Sequence, residues 1–284
     1  MKRNVAFLML LVVLVLAACG DGNTDGDTDE NTGDNGSEPV EITVGASSTP
    51  HAEILEEAKP LLEEEGISLS VEQYQDYVLP NDDLETGDLD ANYFQHIPYL
   101  EGQIEEIGYD FDYIDGIHIE PMGVYSQNIT DIDEIENGTE VILSRSVADH
   151  GRVLALFEQN GLITLDEDVE KVDAEVSDIV ENPHDLTFSA DVDAALLPEL
   201  YFSEEDALVT INTNYAIDAD LNPLEDALFI EDDESPYVNV IAVQSEDIDN
   251  EVLNELVNVL QSEEIQTYIT ETYNGAVVPV GGNN

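Results

Sequence analysis

The sequence predicts an α/β fold of sheets flanked by helices, built as one large domain or two smaller lobes. Two observations predict it. Segments of strand-like alternation and of helix-like spacing follow one another along the chain, the pattern of sheets covered by helices. The stretch able to build a core, residues 40–284, is roughly 245 residues long, enough for one large domain or two smaller lobes. No internal repeat is visible.

In chain order, residues 1–18 read as a signal peptide. Lys2 and Arg3 give a positive start, and the apolar run over residues 5–18 is too short to span a bilayer as a helix. It ends in Leu16-Ala17-Ala18-Cys19-Gly20, which resembles a bacterial lipobox. That resemblance implies that Cys19 is lipidated, with palmitate-like acyl chains, and becomes the first residue of the mature protein. More than one chain satisfies the rule that stable anchoring needs at least two hydrophobic signals. Cys19 is the only cysteine, which excludes an internal disulfide and a multi-thiolate metal site. Residues 20–39 hold no aliphatic or aromatic side chain and cannot bury surface to offset chain entropy, so residues 19–39 are expected to form the lipidated start of an acidic, disordered tether.

Beyond the tether, Val40, Ile42 and Val44 alternate with polar residues and predict a strand. Ala52, Ile54, Leu55, Ala58, Leu61 and Leu62 then follow helical spacing, and Ile67, Leu69 and Val71 alternate again. Further strands are expected at 122–125, 141–143, 207–211 and 238–243, and helices around 153–159, 253–260 and 265–273.

The charge balance is extreme, with 66 acidic against 6 basic residues. Loss of the signal would leave Lys59, Arg145, Arg152 and Lys171 as the only lysines and arginines. A field so negative excludes nucleic acid as a partner and disfavours anionic lipid surfaces. Self-repulsion at this density is tolerable where salt screens it, and at molar ionic strength the Debye length falls to about 3 Å. A halophilic source is therefore expected.

Two-lobed α/β proteins place ligands at the carboxyl ends of strands and between domains. The densest group of unusual residues is Asp76-Tyr77-Val78-Leu79-Pro80-Asn81, then Gly87-Asp88-Leu89-Asp90-Ala91-Asn92-Tyr93-Phe94-Gln95-His96-Ile97-Pro98-Tyr99-Leu100. This segment resembles the signature of the methionine-binding lipoprotein family (MetQ/NlpA type). The likeness continues in the same order through Gly151-Arg152, Ile211-Asn212-Thr213-Asn214-Tyr215-Ala216 and Ser235-Pro236-Tyr237-Val238-Asn239, and so spans the chain after the tether. It implies a type II-like periplasmic-binding-protein fold that closes on its ligand by a hinge, with two lobes, each a mixed, mostly parallel sheet flanked by helices: residues 40–121 with 241–284 are expected to build lobe I, and residues 122–240 lobe II. It also implies a lipid-anchored, extracytoplasmic solute-binding protein of an ABC importer, a monomer that takes methionine or a related amino acid and hands it to permease and ATPase subunits.

A free amino acid needs a cation for its carboxylate, acceptors for its ammonium and a matched pocket for its side chain. Arg152 offers a planar fork of donors suited to a carboxylate; from composition alone it could equally pair with a surface acid, and the family likeness assigns it to the ligand. Asn212 and Asn239 offer amide groups for both charged ends. An Asn at a strand end is also a common turn or cap residue, and only the resemblance favours the ligand role. Tyr77, Phe94, His96 and Tyr99 are expected to form the side-chain pocket, where aromatic rings gain roughly 0.3–1.5 kcal/mol each against a thioether sulfur. Asn214 reads as structural.

Where relatives usually carry Asn-Asp-Pro-Thr-Asn ahead of the Gly-Arg pair, this chain reads Arg145-Ser146-Val147-Ala148-Asp149-His150. Arg145 could add a carboxylate contact or merely neutralise nearby acids. The rival reading is a metal-ion receptor of an ABC importer, but His51, His96, His118, His150 and His184 are scattered singly, without paired spacing. No nucleophile elbow, phosphate loop or metalloprotease pattern is present. No enzyme activity, cofactor or bound metal is expected.

Overall fold

Alternating apolar residues and helical apolar faces assemble here into two sheets, each with helices on both sides. The structure is a computed structural model and describes residues 38–232 and 235–281. The expected signal peptide, Cys19 and all but the last two residues of the tether lie outside the described residues.

The chain runs β1 (Val40–Ser47), α1 (Glu53–Glu64), β2 (Ile67–Tyr74), α2 (Leu79–Thr86), β3 (Ala91–Tyr93), α3 (Ile97–Ile107) and β4 (Phe111–Ile119). It continues through β5 (Gly123–Tyr125), β6 (Glu140–Ser144), α4 (Val147–Gln159), β7 (Thr164–Leu165), β8 (Ile179–Glu181), β9 (Thr187–Val192), α5 (Leu197–Ser203), β10 (Leu208–Ile211), α6 (Thr213–Asp218), α7 (Pro223–Asp226) and β11 (Phe229–Ile230). It ends with β12 (Val238–Gln244), α8 (Glu251–Leu260), α9 (Glu263–Tyr273) and β13 (Val278–Pro279).

The first sheet has the order β13-β4-β12-β3-β1-β2 and the second β11-β5-β10-β6-β9, while β7 and β8 form a separate ribbon. Both are mixed, as expected, although parallel pairs do not predominate. β1 is parallel to β2 and β3, and β6 to β9 and β10. β12 is antiparallel to β3 and β4, β13 to β4, and β5 to β10 and β11. Topology explains this. Parallel neighbours need a crossover helix; β4 carries the chain out of the first sheet and β12 carries it back, so the two lie side by side in opposite directions.

Each sheet is buried on both faces. Val44 and Ala46 of β1 and Ile241 and Val243 of β12 pack with Ile54 and Leu55 of α1, Leu256 of α8 and Ile269 of α9. The opposite face places Val240 and Ala242 against Leu84 of α2 and Leu100 of α3. In the second sheet Val141, Leu143 and Leu208 meet Leu154 and Phe157 of α4, and Ile142, Val209 and Ile211 meet Leu197 of α5 and Ala216 of α6. Two-sided burial is why β10 and β12 read as continuous apolar runs instead of clean alternation. Among the described residues no helix is long and apolar enough to cross a membrane.

Candidate ligand-binding site

One cavity is lined by residues immediately following β3, β4 and β10, by α4, which follows β6, and by Asn239 of β12. It holds about 410 Å³ of space free of protein atoms, part of it open to solvent. Tyr77, Phe94, His96, Tyr99, Arg152, Asn212 and Asn239, the seven residues singled out in the sequence, all face this cavity. Gln95, Glu120, Asp149, Thr213 and Asn214 face it as well.

Local structure fixes each side chain. His96 is the N-cap of α3, where its Nδ1 accepts from the Tyr99 backbone N–H at 3.1 Å. The ring proton therefore sits on Nε2, which donates to Asp149 Oδ1 at 3.3 Å. The segment carrying Phe94 and His96 is held from behind by buried amides: Gln95 Nε2 donates to Asn81 Oδ1 at 2.8 Å and Asn92 Oδ1 at 2.9 Å. Tyr77 donates to Asn214 Oδ1 at 2.6 Å, and its backbone carbonyl accepts from Tyr99 at 2.8 Å. The Tyr77 ring lies 6.0 Å from Phe94, 6.1 Å from Tyr99 and 5.0 Å from Tyr215, so one wall of the cavity is aromatic.

Asp149 and Arg152 stand three residues apart on α4 and so share a helix face. Both are buried. Arg152 Nη2 donates to Glu231 Oε2 at 2.5 Å and to the Glu120 carbonyl at 3.0 Å, while Nη1 lies 3.8 Å from Asp149 Oδ1. Its guanidinium also sits 4.4 Å over the Tyr237 ring, a cation–π contact. Burial alone would lower the Arg152 pKa; Glu231 and Asp149 outweigh it and hold the group charged. Burial would likewise raise Asp149, but His96, Arg152 and Asn212 together keep it below the usual carboxylate value.

Asn212 precedes α6 without capping it, and its Nδ2 donates to Asp149 Oδ2 at 3.3 Å. Two atoms are then left over. Arg152 Nε, a donor, and Asn212 Oδ1, an acceptor, are buried without a hydrogen-bond partner among the described residues. An unpaired buried polar atom costs about 1–3 kcal/mol, and these two, unlike the others so placed, belong to residues on the cavity wall.

The histidines are less scattered in space than in sequence. His51 and His118 meet at Glu120, with possible ligand atoms all within 4.8 Å of one another. The donor set has the right chemistry for a metal, but its protons are already committed. His118 Nε2 donates to Glu120 Oε1 at 2.8 Å and its Nδ1 accepts from Tyr93 Oη. His51 Nε2 donates to Asn239 Oδ1 at 3.1 Å and lies 3.2 Å from Glu120 Oε1. Freeing that Nε2 for a metal would move its proton to Nδ1, which is buried and without a partner. The residues fit a hydrogen-bond network and not a metal. Glu120 Oε2 extends that network to the Asn214 backbone N–H at 3.0 Å, linking β4 to α6. Arg145 stands apart, exposed on a wider groove outside the cavity and paired with Asp193 at 2.8 Å.

Sequence reasoning missed Glu120 and Asp149 as cavity residues. Nothing distinguishes one acid among 66 by composition; the available signal was that Asp149 falls in the variant loop one turn ahead of Arg152.

Comparison with known proteins agrees with this architecture. The sequence profile described as NlpA lipoprotein matches residues 42–281. The chain belongs to the NlpA lipoprotein family. A methionine-binding lipoprotein MetQ of Bacillus subtilis is 42% identical over 281 residues, covering 98% of each chain. Among solved structures, a nutrient-binding protein from Burkholderia cenocepacia bound to methionine is 35% identical, with a TM-score of 0.79 over 84% of this chain and 100% of the other. An ABC-transporter periplasmic substrate-binding protein from Coxiella burnetii is 34% identical, again with a TM-score of 0.79 over 84% and 100%. The NlpA-family chain described here is thus a two-lobed substrate-binding protein and not an enzyme.

Proposed function

We propose that this NlpA-family protein binds methionine or a closely related amino acid outside the membrane and delivers it to the permease of an ABC importer. The observation that carries the reading is the unsatisfied pair, Arg152 Nε and Asn212 Oδ1, buried in a cavity with an aromatic wall. One atom awaits an acceptor and the other a donor, which are the two ends of a zwitterion. Arg152 takes the carboxylate, Asn212 and Asn239 serve the polar groups, and Tyr77, Phe94, His96 and Tyr99 receive the side chain.

Residues 40–121 with 241–284 form lobe I and residues 122–240 lobe II, with β12 at the junction. A ligand touching both lobes favours the closed form, and the permease reads that form. Cys19 supplies the lipid anchor, the ABC permease and ATPase subunits are the partners, and the protein acts as a monomer in a saline medium. The test is calorimetric titration of the unlipidated protein against the twenty amino acids in high salt. Heat is expected with methionine, little with glutamate or lysine, and none in Arg152→Ala. Equal binding by wild type and variant would remove the carboxylate anchor.

A further inference from the structure

Asp149 is the least satisfied charge in the cavity. It is 3% exposed, yet both of its hydrogen bonds, from His96 Nε2 and Asn212 Nδ2, are 3.3 Å long, against roughly 2.7–2.9 Å for a well-formed charged bond. The nearest guanidinium is already matched, because Arg152 spends Nη2 on Glu231 at 2.5 Å and stays 3.8 Å from Asp149. Glu120, the other carboxylate on the cavity wall, has its oxygens occupied by His118 at 2.8 Å and the Asn214 N–H at 3.0 Å. Asp149 therefore remains as a negative charge short of donors.

We propose that Asp149 is a specificity-determining residue that makes a protonated amine obligatory in the ligand, so that the site takes α-amino acids as zwitterions and rejects deaminated or N-acylated analogues. This rests on the amino-acid reading of the site. Asn212 turns its amide nitrogen to Asp149, which leaves Asn212 Oδ1 free beside the carboxylate. An ammonium supplies three N–H donors and a positive charge to those acceptors. In an α-amino acid the carboxylate is borne on the same carbon as the ammonium, so the partners of both must be neighbours; Asp149 and the Arg152 guanidinium are. A ligand with the carboxylate but no ammonium would set a further negative charge against the buried Asp149, where charges are screened least.

The experiment titrates wild type, Asp149→Asn and Asp149→Ser with L-methionine and with 4-(methylthio)butanoate, its deaminated analogue, in high salt. Melting curves of each variant check the fold. Wild type is expected to bind methionine at least roughly a hundredfold more tightly than the analogue, and Asp149→Asn to lose at least roughly tenfold for methionine while its preference narrows. A general packing defect would weaken both ligands equally and leave the ratio unchanged. An unchanged ratio in both variants overturns the proposal, as does near-equal binding of the two ligands by wild type. Should wild type bind no amino acid at all, the underlying functional reading fails as well.

Discussion

Removing the Arg152 guanidinium should have two separable effects. It deletes the donor assigned above to the ligand carboxylate, and it leaves the Glu231 carboxylate without its 2.5 Å cation. Breaking a buried pair from one side costs about 3–5 kcal/mol, so Arg152→Ala should melt well below wild type as well as fail to bind. Arg152→Lys keeps a charge near Glu231 but loses the planar fork. It should recover most of the melting temperature and little of the affinity; full recovery of binding would mean that charge alone suffices. The buried histidines give a second expectation at this scale. Burial holds His51 at a pKa of about 4 and His118 at about 3, both below the ordinary imidazole value of 6.5. Between those values the unfolded chain binds more protons than the folded one, so stability is full above about pH 6.5 and falls as pH drops toward 4. Glu120, raised by burial, acts in the opposite direction, since its contribution declines as pH rises through its folded value. Between about pH 5.5 and 7 ordinary carboxylates of the unfolded chain are already ionised, and substitution of one histidine separates its contribution from that of Glu120. In constant high salt the melting temperature of wild type relative to that of His118→Gln should fall as pH drops through that window. A difference that does not vary with pH would contradict the burial of a neutral His118.

The element that decides the polar end of the site is α4, and its first turn depends on Gly151. A Cβ at this position would stand 2.3 Å from the Val172 carbonyl oxygen and 2.4 Å from that of Lys171. Both are backbone atoms of the 3₁₀ turn Lys171–Asp173 packed against α4, and neither can rotate aside. Gly151→Ala must push the turn and helix apart, at a cost of roughly 1–3 kcal/mol for an overpacked contact. Because Asp149 and Arg152 flank Gly151, the same shift should lower methionine affinity. Urea unfolding and calorimetry of the variant measure the two losses, and an unchanged midpoint would show that the turn yields freely. This helix also marks where the sequence was legible and where it was not. Its apolar half, 153–159, announced itself by spacing, whereas Asp149-His150-Gly151 has no apolar rhythm although it forms the functional turn. β4 was hidden for a related reason. Ile114 and Asp115 exchange places in the alternation of Phe111, Tyr113, Ile117 and Ile119, and His118, on the polar register, is nonetheless wholly buried because Tyr93 and Glu120 satisfy it. Polar networks bury residues that hydropathy assigns to solvent. The aromatic wall was legible by contrast, since Phe94, His96 and Tyr99 lie together in one short segment.

For the whole molecule, the parallel cores could be read because each strand and its crossover helix are adjacent in sequence. The antiparallel partnership of β4 and β12 could not, since it joins segments separated by the entire second sheet. The formal net charge of −60 acts at the same scale and on stability more than on recognition. Exposed carboxylates repel one another over a Debye length of about 8 Å at physiological ionic strength and about 3 Å in molar salt. Such repulsion opposes the compact state, which concentrates the charges, more than it opposes the unfolded chain. Melting temperature should therefore rise steeply with sodium chloride up to molar concentration. The cavity should behave differently: Arg152 and Asp149 are buried, and buried pairs are screened far less. Salt should thus raise the folded fraction while leaving the methionine affinity of the folded protein nearly constant, which calorimetry at several salt concentrations, each below the measured melting point, separates. A melting temperature equal in dilute buffer and in molar salt would show that the acidic surface is balanced within the fold, and affinity that fell in step with screening would place the ligand's charges in solvent.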